Sequence, residues 1–382
     1  MTTSPLKPVK LEIWQGSLPF RFTFRHHLAS RRHTDTLILS LTLAGGAMGF
    51  GQAIPRKYLS GETPEGIRES LEELWLEARE SWFFPTAIQG KEDILAVLDP
   101  LYRRSDTARR PAAYAALETA VLDALARHRG HPLNLLWSSS PSPRELVGVI
   151  PIAPPGMAGW LARLLRWLGY RRFKVKVGSD PLADRQRLAA VRKAIGPAAW
   201  LSADANQAWT LVEAEKRLAD WREFGLSLVE EPLAPGEGSL LGELEAKTGM
   251  AMMADESIIS LADAQKLLAS GSPSWWNLRL GKNGGFSGLA ALADLATRNN
   301  IKIYGGVLVG ETGCLAAAGR AALGLVDYVC QENAFSRLLL ASDPFRGAPG
   351  GFRGRAEPLS RPGLGVDLRR ERLNSFTYHC LE

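Results

Sequence analysis

The chain has 382 residues, 46% hydrophobic and 23% charged, with a formal net charge of +6; the length exceeds what one core usually serves, and the composition excludes a disordered or low-complexity chain. Its basic residues are scattered among acidic ones, without a phosphate-cradling loop, a zinc-finger spacing or an RNA-binding signature, so the charge does not imply nucleic acid. Cys314, Cys330 and Cys380 form no CxxC pair, no stretch is long and apolar enough for a membrane span, and Met1–Gln15 lacks the apolar core of a signal peptide, so the expectation is a cytoplasmic protein without a membrane partner.

From Val9 to Gln52 the chain reads as strands: Leu37–Leu43 alternates and Gly45-Gly46 supplies a turn. Pro64 to Ser81 predicts a helix capped by Thr63, with Ile67, Leu71, Leu74 and Leu76 as its apolar stripe. A second helix is expected from Pro111 to Arg129, stopped by Gly130, with Tyr114, Leu117, Val121, Leu122 and Leu125 on one face. Ser138–Pro143 is Ser/Pro-rich and reads as a linker, so residues 1–140 form an α+β unit.

Beyond the linker, short apolar runs alternate with amphipathic stretches. The runs are Val147–Ile152, Phe173–Val177, Trp200–Asp204, Leu226–Glu230, Met252–Asp255, Trp276–Leu280, Ile301–Tyr304 and Tyr328–Gln331. A representative helix spans Asp180–Ile195, with Pro181 in its first turn and Gly196 just past its end. Eight such units predict a closed parallel barrel over residues 141–349; a doubly wound sheet is the other option, but no GxGxxG follows the first strand.

Polar residues recur at the ends of these runs. Lys174 and Lys176 lie on the second, Asp204 ends the third, Glu230 the fourth, Asp255 the fifth and Arg279 the sixth. Each step from 176 to 204, 230, 255 and 279 is about one β/α unit, which sets these side chains at matching heights on the C-terminal mouth of a barrel. Alternation puts Phe173, Val175 and Val177 toward the helices and both lysines toward the interior. Two buried ammonium groups need counter-charge, and three converging carboxylates need a cation. Oxygen-only ligands point to a hard ion, Mg²⁺, held by Asp204, Glu230 and Asp255.

The chemistry follows from that set. A proton next to a carboxylate is weakly acidic, and a metal on the carboxylate oxygens stabilises the charge left when it departs. A lysine beside another lysine and near a metal has a depressed pKa and can serve as the base. Lys176, nearer the strand end, is the expected base, and Lys174 would lower its pKa and contact the carboxylate. Glu231 and Glu256 read as supporting or structural. Taken singly, each acid also reads as a helix cap and Lys-Val-Lys as an exposed strand face; five positions in phase favour the site.

These motifs resemble the enolase superfamily, in particular its muconate-lactonizing and o-succinylbenzoate-synthase-like branch within the mandelate racemase/muconate lactonizing enzyme family. Phe173–Gly178 is similar to its Lys-x-Lys strand. Ser202–Asn206, Val229–Leu233 and Met253–Ser257 resemble its three metal-ligand strands, and Asn277–Gly285 its sixth strand. Gly310–Gly313 lies where an acidic motif follows the seventh, and Pro362–Val366 resembles its closing segment. The resemblance implies a modified TIM barrel, with an α+β cap of residues 1–140 completed by residues 350–382. It also implies a loop from Phe24 to Arg32 closing over the substrate, with Arg25, His26, Arg31, Asn206 and Glu311 as substrate-binding candidates.

One position departs from the pattern. Where the branch carries a second catalytic lysine, this chain has Arg279, and Lys282 stands past the strand end. Arginine stays protonated, so two-base epimerisation is disfavoured and one-base chemistry is expected. The leading expectation is an o-succinylbenzoate-synthase-like dehydration of a small carboxylate, a carbon–oxygen lyase. The alternatives are an isomerase of the same superfamily, either an epimerase of dipeptides or amino acids or a cycloisomerase, and a non-catalytic, metal-dependent carboxylate-binding protein. A homo-oligomer is compatible with the eleven tryptophans.

Overall fold

The computed structural model describes residues 6–26, 29–84, 90–104, 107–138, 140–350 and 353–382, with the side chains of residues 25, 26, 29, 104, 336 and 337 outside that description. Its N-terminal part is an antiparallel sheet of β1 (Pro8–His26), β2 (Ala29–Leu43) and β3 (Met48–Ala53), joined on the far side of β1 by a C-terminal strand, Thr377–Leu381. Four helices accompany the sheet: α1 (Lys57–Ser60), α2 (Pro64–Ser81), α3 (Lys91–Arg104) and α4 (Pro111–His128). Thr63 caps α2 as its sequence predicts, accepting the Gly66 N–H. Helix α3 is not anticipated by the sequence reading, and Pro100 within it interrupts the usual signal.

Helix α4 lies between the sheet and the rest of the molecule, so it is buried on every side from Pro111 to Ala126 rather than along one face. Its alanines make room for this. A Cβ at Gly49 or Gly51 would come within 2.2 Å or 2.0 Å of α4 carbonyl oxygens, so only glycine lets β3 approach so closely.

The remainder is an eight-stranded parallel barrel. Its strands are β4 (Arg144–Ile150), β5 (Arg172–Lys176), β6 (Trp200–Asp204), β7 (Leu228–Glu230), β8 (Met252–Ala254), β9 (Trp275–Leu278), β10 (Lys302–Gly305) and β11 (Cys330–Glu332), and β11 pairs back onto β4 to close it. The intervening helices are α5 (Pro155–Trp167), α6 (Pro181–Ile195), α7 (Leu211–Asp220), α8 (Leu241–Thr248), α9 (Leu261–Ala269), α10 (Gly285–Arg298) and α11 (Gly313–Ala321). Asp180 caps α6, accepting from Leu182 and Ala183 N–H. The helix that follows β11 is the four-residue α12 (Ser336–Leu339). Val147, Leu228, Met253, Trp275, Tyr304 and Cys330, one from each of six strands, fill the barrel interior.

The sheet-bearing part docks on the barrel mouth through polar contacts. Gln52 on β3 accepts from the Thr312 N–H and hydroxyl at 2.8 Å each, in the loop after β10. Glu118 on α4 accepts from the N–H groups of Phe286 and Ser287 and from the Ser287 hydroxyl, at the start of α10. These bonds satisfy helix-end donors that have no partner within their own helix.

Candidate active site

Strand register sets the site. Lys176 on β5 lies opposite Asp204 on β6, and Asp204 opposite Glu230 on β7. Asp255 and Arg279 each follow directly on the last residue of β8 and β9. In a closed barrel of eight, β5 and β9 are four strands apart, so Lys176 and Arg279 face each other across the mouth. Phe173, Val175 and Val177 are fully buried on the helix side, leaving both lysines inward.

Every one of these charges has a partner. Lys174 Nζ bonds Glu230 at 2.7 Å, lies 3.3 Å from Asp204 and pairs with Glu332. Lys176 Nζ pairs with Asp204 and donates to Asn206 Oδ1 at 2.9 Å. Arg279 pairs with Asp255 and comes within 3.6 Å of Glu230. Lys282 donates to Asp255 Oδ1 at 2.9 Å and to the carbonyls of Asp255 and Asn277. Asp204, Glu230 and Asp255 are fully buried.

The fields are strong because water is excluded. Burial alone would lower the Lys174 ammonium, but Glu230, Glu332 and Asp204 outweigh it and hold Lys174 above the ordinary lysine range. Burial likewise opposes ionisation of Asp204, yet Lys176 and Lys174 hold that carboxyl low. Burial, with Glu231 and Asp204 nearby, pushes Glu256 up to about 8, and burial pushes Glu231 up to about 7.

Above these groups lies a cavity of about 300 Å³, lined at its polar end by Lys174, Lys176, Asn206, Glu256, Arg279 and Glu332. Phe22 and Phe24 of β1 and Tyr58 of α1 reach it from the sheet-bearing part.

A parallel barrel with inward lysines on one strand and carboxylates ending the next three matches a known family. The family described as "Enolase C-terminal domain-like" matches residues 156–372. The chain belongs to the enolase superfamily, in its mandelate racemase and muconate lactonizing enzyme family. It is therefore an enzyme of that superfamily. It is 30% identical to muconate cycloisomerase 1 of Pseudomonas putida over 366 residues, covering 92% of this chain and 93% of that one. It is 26% identical to the L-Ala-D/L-Glu epimerase of Bacillus subtilis over 366 residues, covering 94% and 97%. A solved dipeptide epimerase from Cytophaga hutchinsonii, complexed with Mg and the dipeptide D-Ala-L-Val, superposes with a TM-score of 0.84 at 22% identity, covering 98% of this chain and all of that one.

Within this superfamily member, the remaining sequence candidates have different fates. Asn206 lines the cavity, with φ 46 in the left-handed region that asparagine tolerates. Its side chain bridges Lys176 and Glu256. Glu311 is not brought into the main cavity: it accepts the Leu308 N–H of its own loop at 2.7 Å, and burial pushes it up to about 8. Arg31 is half-buried with its guanidinium 5.5 Å from the centre of the Tyr58 ring, one layer behind the cavity wall. The side chains of Arg25 and His26 lie outside the described residues.

Glu231, read from the sequence as supporting, accepts the N–H groups of Asp255 and Ser257 at 2.6 and 3.2 Å and so fixes the loop carrying Asp255. Its φ of 37 is the conformational cost of that position. The sequence reading missed Glu332, because the eighth apolar run was ended at Gln331; β11 extends one residue further, in phase with the other strand ends. It also missed Asn277, which donates to Glu230 at 2.7 Å.

Whether a divalent cation fits is decided by charge and by unused atoms. The mouth gathers the carboxylates of Asp204, Glu230, Glu231, Asp255, Glu256 and Glu332 against the cations Lys174, Lys176, Arg279 and Lys282. With all of them ionised, that is an excess of two negative charges. Glu256 Oε2 and Arg279 Nε are buried without a hydrogen-bond partner among the described residues. Among the described residues no three acidic, histidine or cysteine side chains converge on one point as they stand, because Arg279 and the lysines lie among them. The hard oxygen donors and the charge deficit fit a divalent cation.

Proposed function

We propose that this enzyme is a Mg²⁺-dependent isomerase that moves a proton at the carbon next to a substrate carboxylate, with Lys176 as its single proton carrier, in the manner of a cycloisomerase. One observation carries this reading: the group across the mouth from Lys176 is a buried guanidinium, Arg279, with no amine in its place. Burial would lower Arg279, but Glu332 and Glu230 outweigh it and hold it above the ordinary arginine range, so it keeps its proton. Arg279 therefore does not supply a second base for inversion at carbon, and Lys282, which burial and Arg279 hold well below the ordinary lysine range, is tied to Asp255 and to the carbonyls of Asp255 and Asn277.

Asp204, Glu230 and Asp255 would hold the Mg²⁺, which when bound stabilises negative charge on the substrate carboxylate. Lys174, with its charge fixed by three carboxylates, orients that carboxylate. Lys176 Nζ takes the proton from Cα. The C–H electron pair becomes the Cα=Cβ bond, the bond from Cβ to the ring oxygen breaks, and that oxygen keeps its electron pair as a carboxylate within the same molecule. In the reverse direction the carboxylate adds to Cβ and Lys176 returns its proton to the same face of Cα. Arg279 stays charged throughout and stabilises the departing carboxylate. Phe22, Phe24 and Tyr58 limit water at the mouth.

The dehydration expected from the sequence would use the same residues. The names of the relatives, cycloisomerase and epimerase, support isomerisation over it. The test is proton exchange in heavy water with Mg²⁺, followed by NMR on muconolactone and on a panel of chiral 2-substituted acids. Deuterium should enter next to the carboxylate with retention of configuration, and Lys176→Ala should abolish it. Exchange that persists in Lys176→Ala, or none in the wild type across the panel, would sink the proposal.

A further inference from the structure

The cavity above the lysines is polar at one end only. Its other end runs along α5 and the segment after β11, lined by Leu161, Leu164, Leu168, Phe335 and Leu338. The topology explains why this space exists. Seven strands are followed by helices of eight to fifteen residues, whereas β11 is followed by the four-residue α12. The flank of α5 that an eighth helix would cover is left as an apolar channel.

The channel wall is held open. Phe335 has φ 48, in the left-handed region that a bulky side chain rarely adopts. Its ring stacks on Tyr170 with centroids 6.1 Å apart and planes 26° from parallel. The Tyr170 hydroxyl in turn accepts from Asn333 Nδ2 at 2.7 Å. Backbone strain spent on fixing an aromatic ring at the edge of a cavity favours a role in shaping that cavity. The rim is apolar as well: Phe22 is 56% exposed and Leu338 49% exposed.

We infer that the substrate is amphiphilic: a carboxylate head at Lys174, Lys176 and Arg279 carrying an extended alkyl or aryl tail that lies in the channel between α5 and α12. This rests on the carboxylate reading above and adds the class of the tail. The tail is the occupant chosen because channel and catalytic end are one continuous space.

Binding of straight-chain carboxylates from butyrate to decanoate, measured by calorimetry with Mg²⁺ present, tests this without turnover. Each methylene entering the channel should tighten binding by about three- to fourfold until the channel is filled. Leu164→Trp, at a half-buried position, should stop that gain at a shorter chain. Phe335→Gly, which suits the backbone conformation, should reduce the gain per methylene without loss of folding. The same length dependence should survive in Lys176→Ala, so a failure of the catalytic reading would not be mistaken for a failure of this one. Affinity independent of chain length, or unchanged in both channel variants, would overturn the inference. So would carboxylates failing to bind a chain that sediments as a dimer and that Leu338→Glu dissociates, for the channel would then be an interface.

Discussion

Replacing Arg279 by lysine should convert one-face chemistry into two-face chemistry. Arg279 lies against bare backbone: a Cβ at Gly306 would come within 2.9 Å of its Cγ and Nε. The shorter, unbranched lysine fits the same path. Glu332 and Glu230 hold Arg279 above the ordinary arginine value against burial. Lysine titrates about two units below that ordinary value, so at any pH well below both, its neutral fraction is roughly 100-fold larger. Inversion at Cα, read by chiral chromatography of a 2-substituted acid that the wild type exchanges with retention, should therefore rise by about two orders of magnitude over the wild-type background. Exchange with retention through Lys176 should persist. Two results would refute the reasoning: a wild type that inverts as fast as it exchanges, or an Arg279→Lys enzyme that still exchanges with retention but inverts no faster.

Three further outcomes are expected. Mg²⁺ at about 100 times its dissociation constant should add about 2.7 kcal/mol to the stability of the wild type, seen as a higher melting temperature that EDTA reverses; an equal shift in Asp255→Asn would remove Asp255 from the ligand set. Glu118→Ala leaves three buried donors at the start of α10 without their acceptor, and urea unfolding should register a loss on the order of 3 kcal/mol or more; an unchanged midpoint would show the contact to be idle. Glu62, which accepts from Ala112 and Ala113 N–H at the start of α4, is raised by burial from 4.5 to about 7. A carboxyl raised on folding adds most to stability below pH 4.5, and that contribution is lost as pH climbs through 7, here by about 3 kcal/mol. Glu62→Gln can still accept both N–H groups and should flatten the stability profile between about pH 4.5 and 7; a profile parallel to the wild type would show that Glu62 does not titrate there.

The features legible in the sequence are those that a fixed repeat converts into geometry. One β/α unit between charged residues is enough to set Lys176, Asp204, Glu230, Asp255 and Arg279 at one height, and strand alternation alone turns both lysines inward. Glu332 falls one residue beyond the apolar run that ends at Gln331, and in a period-2 element one residue decides whether a side chain belongs to the site. Helix α4 shows the opposite limit. Its periodic stripe of Tyr114, Leu117, Val121, Leu122 and Leu125 predicts one buried face, but the layer on its other side comes from residues more than 150 positions later. No local pattern records that layer.

The charge arrangement also needed three dimensions. Read along the chain, Lys174 beside Lys176 suggests mutual repulsion. In the folded mouth Lys174 is instead surrounded by Glu230, Glu332 and Asp204, and its charge is locked in place. Of the two lysines, only Lys176 has its ammonium shared between one carboxylate and the amide oxygen of Asn206, at the cavity wall. The proposed division of labour between a binding lysine and a proton-carrying lysine rests on the number of carboxylates around each. Arg279 completes the proposal: a cation held in its charged form by Glu332 and Glu230, placed four strands away, is the reason Lys176 is proposed as the proton carrier.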